Sequence, residues 1–129
     1  FPRGFTAVAA RAQQLGAGLS VWLSPWGGYG EAKEERLRLG RKQGFETNEN
    51  GFSLAGPRYA ARFKAAVQDF RRTARVNMFK LDGVAGDPDE LSAEIEAMLR
   101  IVRDIREESR PSAGDADTDE GANGTRTEG

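Results

Sequence analysis

The chain contains no cysteine and no histidine. The first absence excludes disulfides and thiolate metal sites. The second removes the commonest general base and the commonest zinc ligand, and with them the Ser-His-Asp and Cys-His mechanisms. Acid–base chemistry must therefore rest on carboxylates, lysine or tyrosine. No apolar run approaches the ~18 residues of a membrane span, and no signal peptide is visible, so no membrane partner is expected and the compartment stays open. The chain opens on Phe1 rather than Met, which reads as a fragment or a processed product. Strong positive charge is missing too. Residues 111–129 carry Asp115, Asp117, Asp119, Glu120 and Glu128 against Arg126, a net −4; with −1 for the whole chain, residues 1–110 are left at +3. Such a balance, on arginines scattered over expected helices, argues against nucleic acid.

What is present is one modest domain's worth of sequence: 129 residues, 38% hydrophobic and 30% charged. Phe5, Val8, Ala12 and Leu15 step by three and four and predict a helix, with Gly16 and Gly18 at its end. Leu19 to Ser24 predicts a strand, cut off by Pro25. Residues 25–56 read as mostly irregular: a glycine- and aromatic-rich loop at 25–30, a short charged helix over 31–39 ended by Gly40, then loop again to Gly56. A connection of about thirty residues far exceeds the usual four to six, and such loops are commonly functional. A second helix is expected from Pro57, with Tyr59, Phe63, Val67 and Phe70 on one face. The apolar strand 76–81 follows. Asp87 is placed to cap a third helix, with Pro88 in its first turn and Glu90 three after the cap. Leu91, Ile95, Met98, Val102 and Ile105 predict that helix's buried stripe. Residues 111–129 hold no Leu, Ile, Val, Met or aromatic side chain and are expected to be a disordered acidic tail.

Two strands separated by helix predict a parallel βαβ crossover in an α/β fold. Two strands alone leave both sheet edges open, so residues 1–110 read as a slice of a larger α/β fold, with self-association through those edges as one consequence. The C-terminal edge of such strands is where α/β active sites form. Asp82, between the strand and Gly83, stands there as a nucleophile, base, metal ligand or plain turn residue. Lys80 shares its face, as a substrate ligand or as half of a structural ion pair. Trp26 and Tyr29, on the loop after the first strand, offer aromatic faces suited to a sugar ring; Trp22, inside the strand, reads as packing. Glu46 and Asn48 could contact hydroxyls or simply face solvent. Asp87 and Asp89 are accounted for by the helix cap, so no metal site and no cofactor is expected.

Three segments, Trp22-Leu23-Ser24-Pro25-Trp26-Gly27-Gly28-Tyr29-Gly30, Gly44-Phe45-Glu46-Thr47-Asn48 and Phe79-Lys80-Leu81-Asp82-Gly83, together resemble the central part of bacterial alpha-galactosidase-like glycoside hydrolases, the melibiase clan. The resemblance covers roughly residues 4–110. It implies a partial (β/α)8 TIM barrel of about two parallel strands with flanking helices, and a carbohydrate substrate. It further implies Asp82 as catalytic nucleophile of a retaining mechanism, Lys80 as ligand of a substrate hydroxyl, and Trp26 and Tyr29 near the sugar. Retention needs a second carboxyl group about 5–5.5 Å away, which the family takes from its sixth strand. From Pro111 onward the sequence departs from the family, so the fragment is expected to hold part of a catalytic machine. The alternatives are a non-catalytic carbohydrate-binding or scaffold remnant, and a metal-dependent barrel enzyme using Asp82 and Asp87, which the lack of histidine disfavours.

Overall fold

A computed structural model describes residues 4–83 and 86–110 of the chain. The tail expected at 111–129 lies outside the described residues. In chain order the elements are α1 (Thr6–Gln14), β1 (Leu19–Leu23), α2 (Gly30–Lys42), β2 (Thr47–Asn48), β3 (Gly51–Phe52), α3 (Pro57–Ala74), β4 (Val76–Leu81) and α4 (Pro88–Glu107). β1 and β4 form a parallel pair, and β2 and β3 a minimal antiparallel hairpin. No closed barrel is present among the described residues.

The connection between β1 and β4 is better organised than its composition suggests. Gly40 does not end α2 but lies inside it, where the ring of Phe52 occupies the space a Cβ would need. The helix runs on to Lys42 and closes with the amides of Gly44 and Phe45 bonded to Arg41 O and Gly40 O, the paired C-terminal bonds that a left-handed glycine permits. Pro57 opens α3 at its first turn. Tyr59, Phe63 and Val67 of α3 then pack with Ala97, Ile101 and Ile105 of α4 and with Trp26, Leu37, Phe52 and Leu54 of the connection.

Three helices cover one face of the parallel pair. Leu23, Phe79 and Leu81 meet the α3/α4 core, while Leu19, Val21 and Val76 pack with Ala9 of α1 and Ala74 of α3. The opposite face, with Ser20, Trp22, Met78 and Lys80, is exposed. A bulge sets this division. Leu19 pairs with Val76 but Ser20 pairs with Met78, so Asn77 is the extra residue on β4. Without it, Val76 could not face the same way as Phe79 and Leu81, because side chains alternate along a strand.

Two helical faces differ from expectation. On α1 the inward residues are Phe5, Ala9 and Ala12, while Val8 and Leu15 are exposed; small alanines let α1 lie close to Ala74 and Val76. On α4 the buried positions are Leu91, Glu94, Ala97, Ile101 and Ile105. The helix is turned so that Val102 faces solvent, Ile95 is half-buried and a carboxylate goes inside. As expected, the Asp87 side chain caps α4, accepting the Asp89 amide at 2.8 Å.

Candidate functional site

The C-terminal ends of β1 and β4 meet. The Asp82 amide donates to Leu23 O at 3.0 Å, which carries the parallel ladder one residue past β4. Asp82 is half-buried and its carboxylate accepts the Gly83 amide at 2.8 Å. Gly83 has φ +99°, and a Cβ there would stand 2.6 Å from Ser24 Oγ and 3.3 Å from the Tyr29 hydroxyl. Only glycine allows the loop after β1 to close onto the end of β4 this tightly. That loop is itself held: Ser24 Oγ accepts the Gly28 amide at 3.0 Å, and Arg36 donates to Gly27 O at 3.0 Å.

Of the expected site residues, Tyr29 therefore reaches Gly83, the neighbour of Asp82. Tyr29 is 67% exposed. Lys80 sits on the bare sheet face in register with Trp22, its ammonium 3.8 Å from the centre of the Trp22 ring. No ion pair joins Lys80 to Asp82 among the described residues; the lysine is held by a cation–π contact instead. Trp22 is 64% exposed, whereas Trp26 is 1% exposed and belongs to the core. A ring so enclosed has no face on which a sugar could stack, which corrects the stacking role expected of Trp26 and gives the exposed aromatic surface to Trp22.

Beside the strand ends lies a cavity of about 210 Å³, lined by Trp26, Tyr29, Lys33, Glu49, Asn50 and Gly83 among others. Lys33 donates to Asn50 O at 2.6 Å. The Trp26 indole N–H is the one buried side-chain donor without an acceptor among the described residues, and such a group calls for an explanation. Behind the cavity wall, Glu94 is 4% exposed. Its carboxylate accepts from Asn48 Nδ2 at 3.2 Å, from the Leu54 amide at 2.6 Å and from the Ser53 hydroxyl. It is a buried acid satisfied entirely by neutral donors. Glu46 does not reach the cavity's rim as a hydroxyl ligand. It accepts the Tyr59 and Arg58 amides at the start of α3, and these bonds, Tyr59's first, hold its carboxyl below the usual carboxylate range.

Glu94 and Lys33 are the residues that sequence reasoning did not single out, while Trp22, read as packing, is exposed. The available signal for Glu94 was its position three after Leu91 and three before Ala97, on the stripe itself. Lys33 had none. Among the described residues no group of three or more Asp or Glu side chains could hold a metal, and no helix is long and apolar enough to cross a membrane. Comparison with protein-family models, with curated proteins and with solved structures finds no match.

Proposed function

We propose that the chain is part of a retaining glycoside hydrolase of the alpha-galactosidase-like type, a slice of a (β/α)8 barrel in which Asp82 is the nucleophile. One observation supports this above the others. The parallel strands are covered by helices on one face and bare on the other, and alternation puts Lys80 and Asp82 on the bare side at the C-terminal edge. A barrel interior needs that arrangement, since its strands turn one face to the helices and the other to the lumen. The open edges of β1 and β4 are where further strands would add. While uncovered, they are also surfaces for self-association.

In this reading Asp82 attacks the anomeric carbon as the glycosidic bond breaks, forming a covalent glycosyl ester that water later hydrolyses. Lys80 donates to a substrate hydroxyl. Trp22 both orients that ammonium and presents an apolar ring to the sugar, and Tyr29, exposed beside Gly83, offers a second one. The second carboxyl group, acid and then base, comes from another strand of the complete barrel.

A fluorinated α-galactosyl fluoride tests the assignment. Fluoride leaves without a proton, so the first step needs the nucleophile and not the acid. Mass spectrometry of the digested adduct is expected to place the label on the peptide bearing Asp82, and Asp82→Asn is expected to abolish labelling. A label on another carboxylate would overturn the assignment. Galactoside binding with no label at all would favour the non-catalytic carbohydrate-binding reading.

A further inference from the structure

Among the described residues β4 has one neighbour, β1, and its other edge is open. The Asp82 amide turns toward β1, so alternation along a parallel ladder turns the N–H and C=O groups of Phe79 and Leu81 toward the open edge. Beside that edge lies a cavity of about 480 Å³, walled by Phe63 and Val67 of α3, Phe79 and Leu81 of β4, and Ile101 and Val102 of α4 among others. Next to it, α4 leaves Leu99 59% and Val102 36% exposed. An open strand edge flanked by apolar side chains is a template for another strand. The charges of α4 select which one. Asp87, Asp89, Glu90 and Glu96 are exposed near its start, and residues 87–99 hold no Lys or Arg, whereas Arg100, Arg103, Arg106 and Arg110 follow. The acids of that second stretch are engaged: Glu108 bonds Lys64, and Asp104 and Glu107 lie against Arg103. Arg106 and Arg110 line the cavity with Arg71, and no carboxylate does. Arg71, near the end of α3, donates to Ile105 O and the Ser109 hydroxyl, so α4 runs antiparallel to β4. Its arginines stand at the start of the strand and its acids beyond the end.

A second copy of this chain, related by a two-fold axis, meets these features together. Placed antiparallel along the open edge, its β4 sets Phe79 opposite Phe79, and each N–H reaches the other's C=O. The axis stands perpendicular to the sheet, so the helices of both copies cover the same face of four strands, in the order β1-β4-β4-β1. Each α4 then lies antiparallel to its counterpart. Leu99 and Val102 are covered, and the arginine end of each helix lies beside the acidic end of the other, where the helix dipoles add to the attraction. A second copy laid parallel would set arginines against arginines. We propose that the chain forms an antiparallel two-fold dimer through the β4 edge and the exposed face of α4, with Phe79, Leu99 and Val102 near its centre and Glu96 and Arg106 as complementary charges. The inference uses the open edge of the barrel reading, where a second copy supplies the added strand, and takes nothing from the role of Asp82.

Sedimentation equilibrium of the 129-residue chain, at about 1–200 μM to bracket a micromolar Kd, is expected to show monomer and dimer and nothing larger. Val102→Glu is expected to raise Kd by about 10-fold or more, since it sets a charge in an apolar contact. Glu96→Arg and Arg106→Glu, both at exposed positions, are each expected to raise it about 10-fold, because two opposite-charge contacts become like-charge ones. The double variant is expected to return within about 3-fold of the native chain, since the two sites are coupled. Hydrogen exchange reads the strand pairing: the Phe79 amide is expected to exchange more slowly as chain concentration rises. A monomer throughout would overturn the inference, and so would polymers beyond the dimer, which a closed two-fold pair does not form. A dimer with no rescue in the double variant, or with a Phe79 amide indifferent to concentration, would overturn this interface. Because fluoride labelling reads Asp82 independently, a labelled monomer removes this inference only. A dimer without labelling removes the nucleophile only.

Discussion

Tyr59 couples the stability of the site loop to pH in the alkaline range. It is 9% exposed, stacked on Phe52 with ring centres 4.4 Å apart, and its hydroxyl donates to Pro25 O immediately before Trp26. Burial is the main cause that pushes its phenol from the ordinary 10.0 up to about 12, with Glu94 adding to the rise and Arg62 opposing it. A group whose pKa is raised by folding contributes its stability in full below the unfolded value and loses it as pH climbs through the folded one. At roughly 1.4 kcal/mol per unit, the shift amounts to about 2.7 kcal/mol once the phenol is fully ionised, with about half of that lost by pH ~11. Tyr59→Phe removes this dependence. It also leaves the buried Pro25 carbonyl without its donor, at about 1 kcal/mol near neutrality. The two effects cross: the variant is less stable than the native chain near pH 7 and equal or slightly more stable near pH ~11. Urea unfolding at both pH values measures it, with a native midpoint lower by about 1 M at the higher pH for a slope near ~1.5 kcal/mol/M. If both proteins lose the same midpoint between the two pH values, Tyr59 is not the buried phenol described here.

Three further outcomes follow from single contacts. Gly51→Ala is expected to cost about 2–4 kcal/mol, since its Cβ would meet the backbone oxygen of Trp26 at 2.1 Å and force a left-handed alanine; a urea midpoint within experimental error of the native chain would refute the close approach. Glu46→Gln is expected to flatten the acid limb of thermal stability. The depressed carboxyl stabilises above its ordinary value near 4.5 and loses that contribution as pH falls through the lowered one, so an unchanged slope of melting temperature against pH between about 6 and 3 would count against the cap on α3. Asp87→Ala is expected to cost about 1 kcal/mol through the Asp89 amide it leaves uncapped, and equal melting temperatures would show that α4 starts elsewhere.

The elements that sequence patterning located are those whose signals are local. Pro25 ends β1, Pro57 opens α3, and Asp87 with Pro88 opens α4, because a fixed φ or a short acceptor acts on its immediate neighbours. The β2–β3 hairpin escaped because two-residue strands carry no periodicity to detect. Gly40 was misplaced as a helix end for a related reason. Glycine marks both helix ends and close contacts, and only the Phe52 ring, twelve residues away, decides between them. On α4, hydrophobicity favoured Ile95 and Val102 over Glu94 and Ile101. A buried acid is costly unless its hydrogen bonds are made, and its donors here lie 40 to 46 residues upstream.

The candidate site divides along the same line. Asp82 was legible because strand, acid and glycine are consecutive, and the end of a parallel strand is a place defined by the chain itself. Alternation relates Lys80 to Asp82 without interruption, because the bulge at Asn77 lies upstream of both; a bulge between them, at Leu81, would set them on opposite faces. The aromatic assignment had no such protection. Trp22 and Trp26 are four residues apart, one on a strand face with no cover and one in a loop folded under the core, and tryptophan serves either environment. The polar wall is further out of reach. Lys33 meets Asn50 across 17 residues and Asn48 meets Glu94 across 46, so the wall exists only once α2, the hairpin and α4 have packed. A substitution that loosens α4 should therefore disturb the cavity while leaving Asp82 on its ladder, where its amide bonds Leu23 O.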